Sequence, residues 1–125
     1  MQEVLVNSKM VVPSVSHVRR RSWEEVQECA DLKLRHLLPP VILIEMVDHN
    51  LVFGKNLFDG NHRVLLTEAY GGFVRGLLYT VKEVMAINGK EHSLYITAMD
   101  ATREGMRRAN KYGVYNWKDL LNSIK

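Results

Sequence analysis

The chain has 125 residues, 46% of them hydrophobic and 25% charged, and 17 Lys and Arg against 14 Asp and Glu give a formal net charge of +3. This is ordinary globular composition, with room for one packed domain and none for a second of normal size. No apolar run approaches the ~20 residues that cross a bilayer, and Met1 to Val6 lacks the basic region of a secretory signal, so neither export nor membrane spanning is expected. The single cysteine, Cys29, cannot form an internal disulfide, which suits a reducing compartment and a cytoplasmic protein.

Glu3 to Asn7 alternates apolar and other residues and predicts a short strand, continued by an extended segment over Lys9 to Val12 up to Pro13. Ser14 to Arg21 has no period and reads as a loop that delivers Arg19, Arg20 and Arg21 to the next element. Ser22-Trp23-Glu24-Glu25 has the form of a capping box, and Trp23, Val26, Cys29, Ala30 and Leu34 follow near helical spacing as one apolar face. Cys29 lies on that face and reads as a structural thiol.

Pro39-Pro40 closes the helical stretch, and Val41 to Val47 predicts a central strand. Asp48-His49-Asn50 has turn chemistry, after which Leu51-Val52-Phe53 and Leu57-Phe58 form the irregular second arm of a hairpin around Gly54-Lys55-Asn56. At Asp59-Gly60-Asn61-His62-Arg63 a strand passes through a tight turn into a helix, Val64 to Tyr70, stopped by Gly71-Gly72. Val74 to Val84 resumes as a strand, with Gly76 as the place for a bend. Asn88-Gly89 signals a hairpin between Val84 to Ile87 and Ser93 to Thr97. A helix from Met99 to Tyr112, weakened by Gly105 and capped by Gly113, precedes a last helix, Trp117 to Ile124, capped by Asn116. No repeat or linker divides the chain. The expected fold is a single α+β domain over 1–125, a small mixed sheet flanked by helices, with a mostly helical C-terminal extension over 91–125.

Asp59 to Arg63 is the segment with chemistry. A helix N-terminus offers unpaired N–H groups and partial positive charge, Gly60 permits the turn, and His62 and Arg63 add donors. Phosphate is the natural ligand: Arg63 supplies a two-pronged fork, His62 a hydrogen bond or proton, and Asp59 a ligand for a divalent metal or a base. The alternative is structural: Asp59 caps the helix, His62 pairs with a carbonyl and Arg63 makes a surface ion pair. No G-x-x-x-x-G-K-[ST] P-loop is present. Glu45, a carboxylate on the central strand among apolar neighbours, is a second catalytic candidate or else a solvated edge residue.

The order of these parts resembles the ParB/sulfiredoxin-like domains over about 4–84: an early strand ending near Pro13, an arginine-containing loop, the Trp23 to Leu34 helix, Leu38-Pro39-Pro40-Val41 leading into a strand, a hairpin, and Phe58-Asp59-Gly60-Asn61-His62-Arg63. The resemblance implies that Gly60, Asn61, His62 and Arg63 bind nucleotide phosphates and that one of Arg19, Arg20 and Arg21 reaches the same phosphates. It also implies a nucleotide (ATP, ADP or CTP) with Mg²⁺ as ligands. Asn61 stands where sulfiredoxins carry their catalytic cysteine, which argues against sulfinic acid reduction. The Gly-Glu-Arg-Arg type signature of chromosome-partitioning ParB proteins is absent, and the 125 residues hold neither their helix-turn-helix nor their dimerisation domain.

Three functions follow as expectations. The first is nucleotide-phosphate binding with Mg-dependent hydrolysis or phosphoryl transfer. The second is a ParB-like nuclease or DNA-binding accessory protein, in which Arg103, Arg107, Arg108 and Lys111 grip the DNA backbone, Arg103, Arg107 and Lys111 sharing a helix face, against the opposing charges of Asp100 and Glu104. The third is a silent interaction module with Tyr112, Tyr115 and Trp117 as its surface, aromatics that otherwise read as core.

Overall fold

The computed structural model describes residues 1–48, 51–86 and 91–124. The chain runs β1 (Gln2–Val6), α1 (Arg20–Gln27), a 3-10 helix (Leu32–Leu37), β2 (Val41–Asp48), β3 (Leu51–Asp59), α2 (Asn61–Tyr70), β4 (Val74–Tyr79), α3 (Val81–Met85), α4 (Glu91–Lys111) and α5 (Trp117–Asn122). The strands form one mixed sheet in the order β1-β4-β2-β3. β1 and β4 pair antiparallel, β4 and β2 parallel, and β2 and β3 as an antiparallel hairpin with register shifts at Ile42/Leu43 and Met46/Val47. The protein is therefore a small mixed α/β domain, and β2 occupies an interior position, as its apolar run predicts.

Helices cover both faces of the sheet, because alternate residues of a strand point to opposite sides. Val41 and Leu43 of β2 join Val6, Leu57, Val74 and Leu78 in the main core, closed by Val64, Leu65 and Leu66 of α2, by Trp23 of α1 and by Trp117 and Leu120 of α5. Ile44 points the other way and packs with Val84 and Met99. α4 contributes Met99 to this second cluster and Ala109 to the first. Within 91–124, Ala109, Val114, Trp117 and Leu120 belong to the same core as the sheet. Trp117 Nε1 also donates to the Val11 carbonyl at 2.7 Å.

Several expectations are corrected. Helix α1 begins at Arg20 with Arg19 at its cap and no side-chain capping bond, so Ser22 lies inside the first turn and its capping box is not formed. Leu34 belongs to the 3-10 helix, which Asp31 caps, and is 39% exposed rather than part of the α1 stripe. Lys9 and Met10 lie in a turn in place of an extended segment, the Met10 N–H bonding the Asn7 carbonyl at 3.1 Å. The strand expected over Val74 to Val84 stops at Tyr79, because Thr80 and Glu83 form a full capping box and start α3. Gly76 marks no bend: β4 keeps register through it against Val4 and Val41, and a side chain there would meet Val6 Cγ2 at 2.6 Å. Ser93 to Thr97 is helical within α4, while the Asn88-Gly89 turn and the turn residues His49 and Asn50 lie outside the described residues.

The C-terminal caps follow the sequence. Gly113, at φ 83°, closes α4 with its N–H on the Asn110 carbonyl (3.0 Å) while Val114 bonds back to Ala109 (2.9 Å), the paired bonds of a Schellman ending. Asn116 Oδ1 accepts from the Asp119 N–H at 2.9 Å and starts α5.

Candidate functional site

β3 ends at Asp59 and α2 begins at Asn61, leaving Gly60 to make the whole change of direction. Its φ of 113° lies in the left-handed region, and a β-carbon there would come within 2.5 Å of Val41 Cγ1. Glycine is required twice, for conformation and for space. The first helical bond runs from the Val64 N–H to the Gly60 carbonyl at 3.0 Å, and Gly60 brings no side-chain cap. The N–H groups of Asn61, His62 and Arg63 therefore have no helical partner, and they carry the positive end of the α2 dipole.

These groups open onto a cleft of about 500 Å³. The loop with Ser14, His17 and Arg19 forms one wall, and Gly105 and Arg108 of α4 form another. Three guanidiniums (Arg19, Arg63, Arg108) face two carboxylates (Glu25, Asp59) among its lining residues, so the Arg, Asp and Glu side chains give the cleft a net positive lining.

Arg63 is committed to the fold. Its Nη1 donates to the carbonyls of Pro39 (2.7 Å) and Pro40 (2.8 Å), and its Nη2 to Asp59 Oδ2 at 3.1 Å. The side chain is 15% exposed, against 66% for Asp59. The fork is thus used to hold the start of β2 against α2, and the other guanidiniums that line the cleft are those of Arg19 and Arg108. Asn61 is likewise engaged: Oδ1 accepts from the Ser14 N–H at 2.9 Å and Nδ2 donates to Ser14 Oγ at 3.0 Å. Asn61 offers a ligand its backbone N–H, while its amide braces the loop that carries His17 and Arg19.

His62 has a buried Nε2 with no hydrogen-bond partner among the described residues. Burial holds its pKa below the usual imidazole value, and the charges of Arg19, Arg63 and His17 push in the same direction. At neutral pH it is an uncharged imidazole inside a positive cleft.

Of the three consecutive arginines only Arg19 lines the cleft; Arg21 approaches Glu25 at 3.5 Å on the exposed surface of α1, and Arg20 lies outside the lining. Glu45 is not at the site. It stands opposite Lys55 in the hairpin, four residues along β2 from the Val41 that Gly60 touches, about 13 Å at the rise of a strand. The C-terminal basic face is partly neutralised, because Arg107 makes a two-pronged contact with Glu104 (2.8 and 2.6 Å from Nη2, 3.0 Å from Nε) and Arg108 stands 3.7 Å from the same carboxylate. Those hydrogen bonds with Arg107 hold the Glu104 carboxyl below its ordinary value. Arg103 and Lys111 do not line the cleft. The aromatics divide: Trp117 is core, whereas Tyr112 is 68% and Tyr115 65% exposed.

Asp59 is the carboxylate nearest the free N–H groups in sequence, and among the described residues no three His, Cys, Asp or Glu side chains converge as a metal cage.

Sequence reasoning missed Ser14, His17 and Gly105 and assigned Arg108 to a separate surface. A β-carbon on Gly105 would run into the Ser14 carbonyl oxygen, so the glycine that costs helix propensity lets α4 close on the loop. No family model matches the chain, and neither a curated protein nor a solved structure matches it. No helix among the described residues is long and apolar enough to cross a membrane.

Proposed function

We propose that the protein binds the phosphates of a nucleotide in the cleft at the start of α2, with Mg²⁺ carried on those phosphates. The observation that supports this most directly is the conjunction of an uncapped helix N-terminus with the Arg19 and Arg108 guanidiniums around one 500 Å³ hollow. The Arg19 side chain makes no hydrogen bond or ion pair with another described residue, and that of Arg108 only a 3.7 Å approach to Glu104, so both guanidiniums can turn to a ligand. The order strand, loop-helix, proline-preceded strand, hairpin and Gly-Asn-His-Arg helix start supports the resemblance to ParB/sulfiredoxin-like domains on which this reading draws.

Gly60, Asn61, His62 and Arg63 present backbone N–H groups or shape the turn, Arg19 and Arg108 neutralise phosphate charge, and the Arg63 side chain ties α2 to the Pro39-Pro40 segment before β2. When bound, Mg²⁺ would neutralise phosphate charge beside Asp59. Hydrolysis or transfer to a hydroxyl would draw its proton acceptor from His62 or Asp59, the titratable groups at the helix start. The DNA-binding alternative rests on Arg103, Arg107, Arg108 and Lys111, and Glu104 weakens that face by occupying Arg107.

The test is unfolding of the purified protein with ATP, ADP, CTP, pyrophosphate or short DNA, each with and without Mg²⁺. A ligand at ~100 times its Kd stabilises the native state by about 2.7 kcal/mol. Stabilisation by nucleotide and pyrophosphate supports the reading; stabilisation by DNA alone, lost at high salt, overturns it.

A further inference from the structure

Beside the phosphate cleft is a second hollow of about 330 Å³, lined by Ser16, His17, Arg108 and Tyr112. Ser16, His17 and Arg108 line both hollows, so the two are contiguous. Tyr112 is the new element. It follows the last residue of α4, its N–H bonds the carbonyls of Arg108 (3.2 Å) and Ala109 (3.1 Å), and the Schellman ending at Gly113 fixes its backbone. Its side chain is 68% exposed, so no other part of the chain covers most of it. Arg108 and Tyr112 are four residues apart and therefore project from the same side of the helix end.

We propose that this annex is the base subsite of the cleft: the Tyr112 ring stacks on the planar heteroaromatic base of a nucleotide whose phosphates lie at the start of α2. His17 and Arg108, common to both hollows, flank the sugar between them. The proposal rests on the reading of the cleft as a nucleotide-phosphate site, and it sharpens the ligand class to a phosphate ester that carries an aromatic ring one sugar away. A tyrosine ring offers area at small entropic cost, and its face accepts any base, so the platform selects for an aromatic group rather than for one base. The two hollows, one polar and cationic and one walled by an aromatic ring, match one mononucleotide and not a longer strand.

The experiment is calorimetric titration of the wild-type chain, Tyr112→Ala and Tyr112→Phe with Mg²⁺ and either ATP, CTP or pyrophosphate. Tyr112 is exposed, so both variants are expected to fold. Tyr112→Ala should weaken ATP and CTP by about 5- to 150-fold, the range that base stacking on an aromatic side chain covers, and Tyr112→Phe should restore most of it. Pyrophosphate affinity should be the same in all three proteins. Nucleotide affinity unchanged in Tyr112→Ala, or pyrophosphate bound as tightly as ATP by the wild type, overturns the base subsite and leaves the phosphate site standing. Absence of binding by both nucleotide and pyrophosphate overturns the phosphate reading, and the subsite with it. Affinity that climbs with oligonucleotide length overturns the mononucleotide assignment.

Discussion

Ser14 and Asn61 hold each other reciprocally: the Ser14 N–H donates to Asn61 Oδ1 at 2.9 Å, and Asn61 Nδ2 donates to Ser14 Oγ at 3.0 Å. The pair links the loop that carries His17 and Arg19 to the first residue of the helix whose N–H groups face the cleft. Asn61 is 9% exposed, so water does not readily replace the lost partner. Asn61→Ala should cost about 1–3 kcal/mol of stability by denaturant unfolding. It should also weaken pyrophosphate binding, although the Asn61 amide makes no ligand contact, because Arg19 is no longer held over the cleft.

Gly105 gives a prediction of opposite sign to the general rule. Gly→Ala in a helix ordinarily stabilises by about 1 kcal/mol. Here the added methyl would meet the Ser14 carbonyl oxygen, which is backbone and cannot rotate away. Gly105→Ala should destabilise by about 1–3 kcal/mol, read from the urea midpoint, and a gain in stability would show that α4 does not close on the loop as described.

Arg63 separates fold from binding. Removing its guanidinium leaves the Pro39 and Pro40 carbonyls without their charged donor. Arg63→Ala should lose about 2–3 kcal/mol, since a hydrogen bond to a charged group is worth about 1.5–3 kcal/mol. Arg63→Lys, with a point charge in place of a planar fork, should recover only part of it. The Asp59 contact is exposed and adds little, so Asp59→Asn should be near neutral by the same measurement.

His62 predicts a pH dependence. Its pKa is lowered in the folded protein by burial first, then by Arg19, Arg63 and His17. Between the unfolded value of about 6.5 and the lower folded value, the unfolded chain binds more protons than the native one, so stability rises with pH in that window. Acidification from pH 7.5 should therefore destabilise the wild type progressively below about 6.5, until the folded pKa is passed. His62→Gln should show a smaller loss over the same interval, measured by urea unfolding at pH 7.5 and 5.5; parallel losses would mean that His62 titrates normally.

Much of the fold was legible because its signals are local. The apolar run of β2, the single-glycine turn at Gly60 and the caps at Gly71, Gly113 and Asn116 each depend on a few consecutive residues. Where two local signals competed, the reading failed. The apolar stretch Val74 to Val84 outweighed the Thr80/Glu83 capping box that starts α3, and Asn88-Gly89 suggested a hairpin where Ser93 to Thr97 continue a long helix. The helix start of the site was readable from Asp59 to Arg63, but the roles within it were not. Arg63 spends its Nη1 on carbonyls 23 and 24 residues away, and Asn61 its amide on a serine 47 residues away. Such partners, like the approach of Gly105 and Arg108, are products of tertiary packing and leave no mark in spacing.

The central claim is that Arg19 and Arg108, with the free N–H groups of α2, make a phosphate site. The most direct measurement is the Kd of pyrophosphate with Mg²⁺ for the wild type and for Arg19→Ala/Arg108→Ala, with unfolding followed in parallel. Both side chains are exposed, so the double variant should fold with nearly wild-type stability. The account predicts at least a tenfold loss of affinity, about 1.4 kcal/mol, in a protein of unchanged stability. A stable double variant that binds pyrophosphate as the wild type does would contradict it.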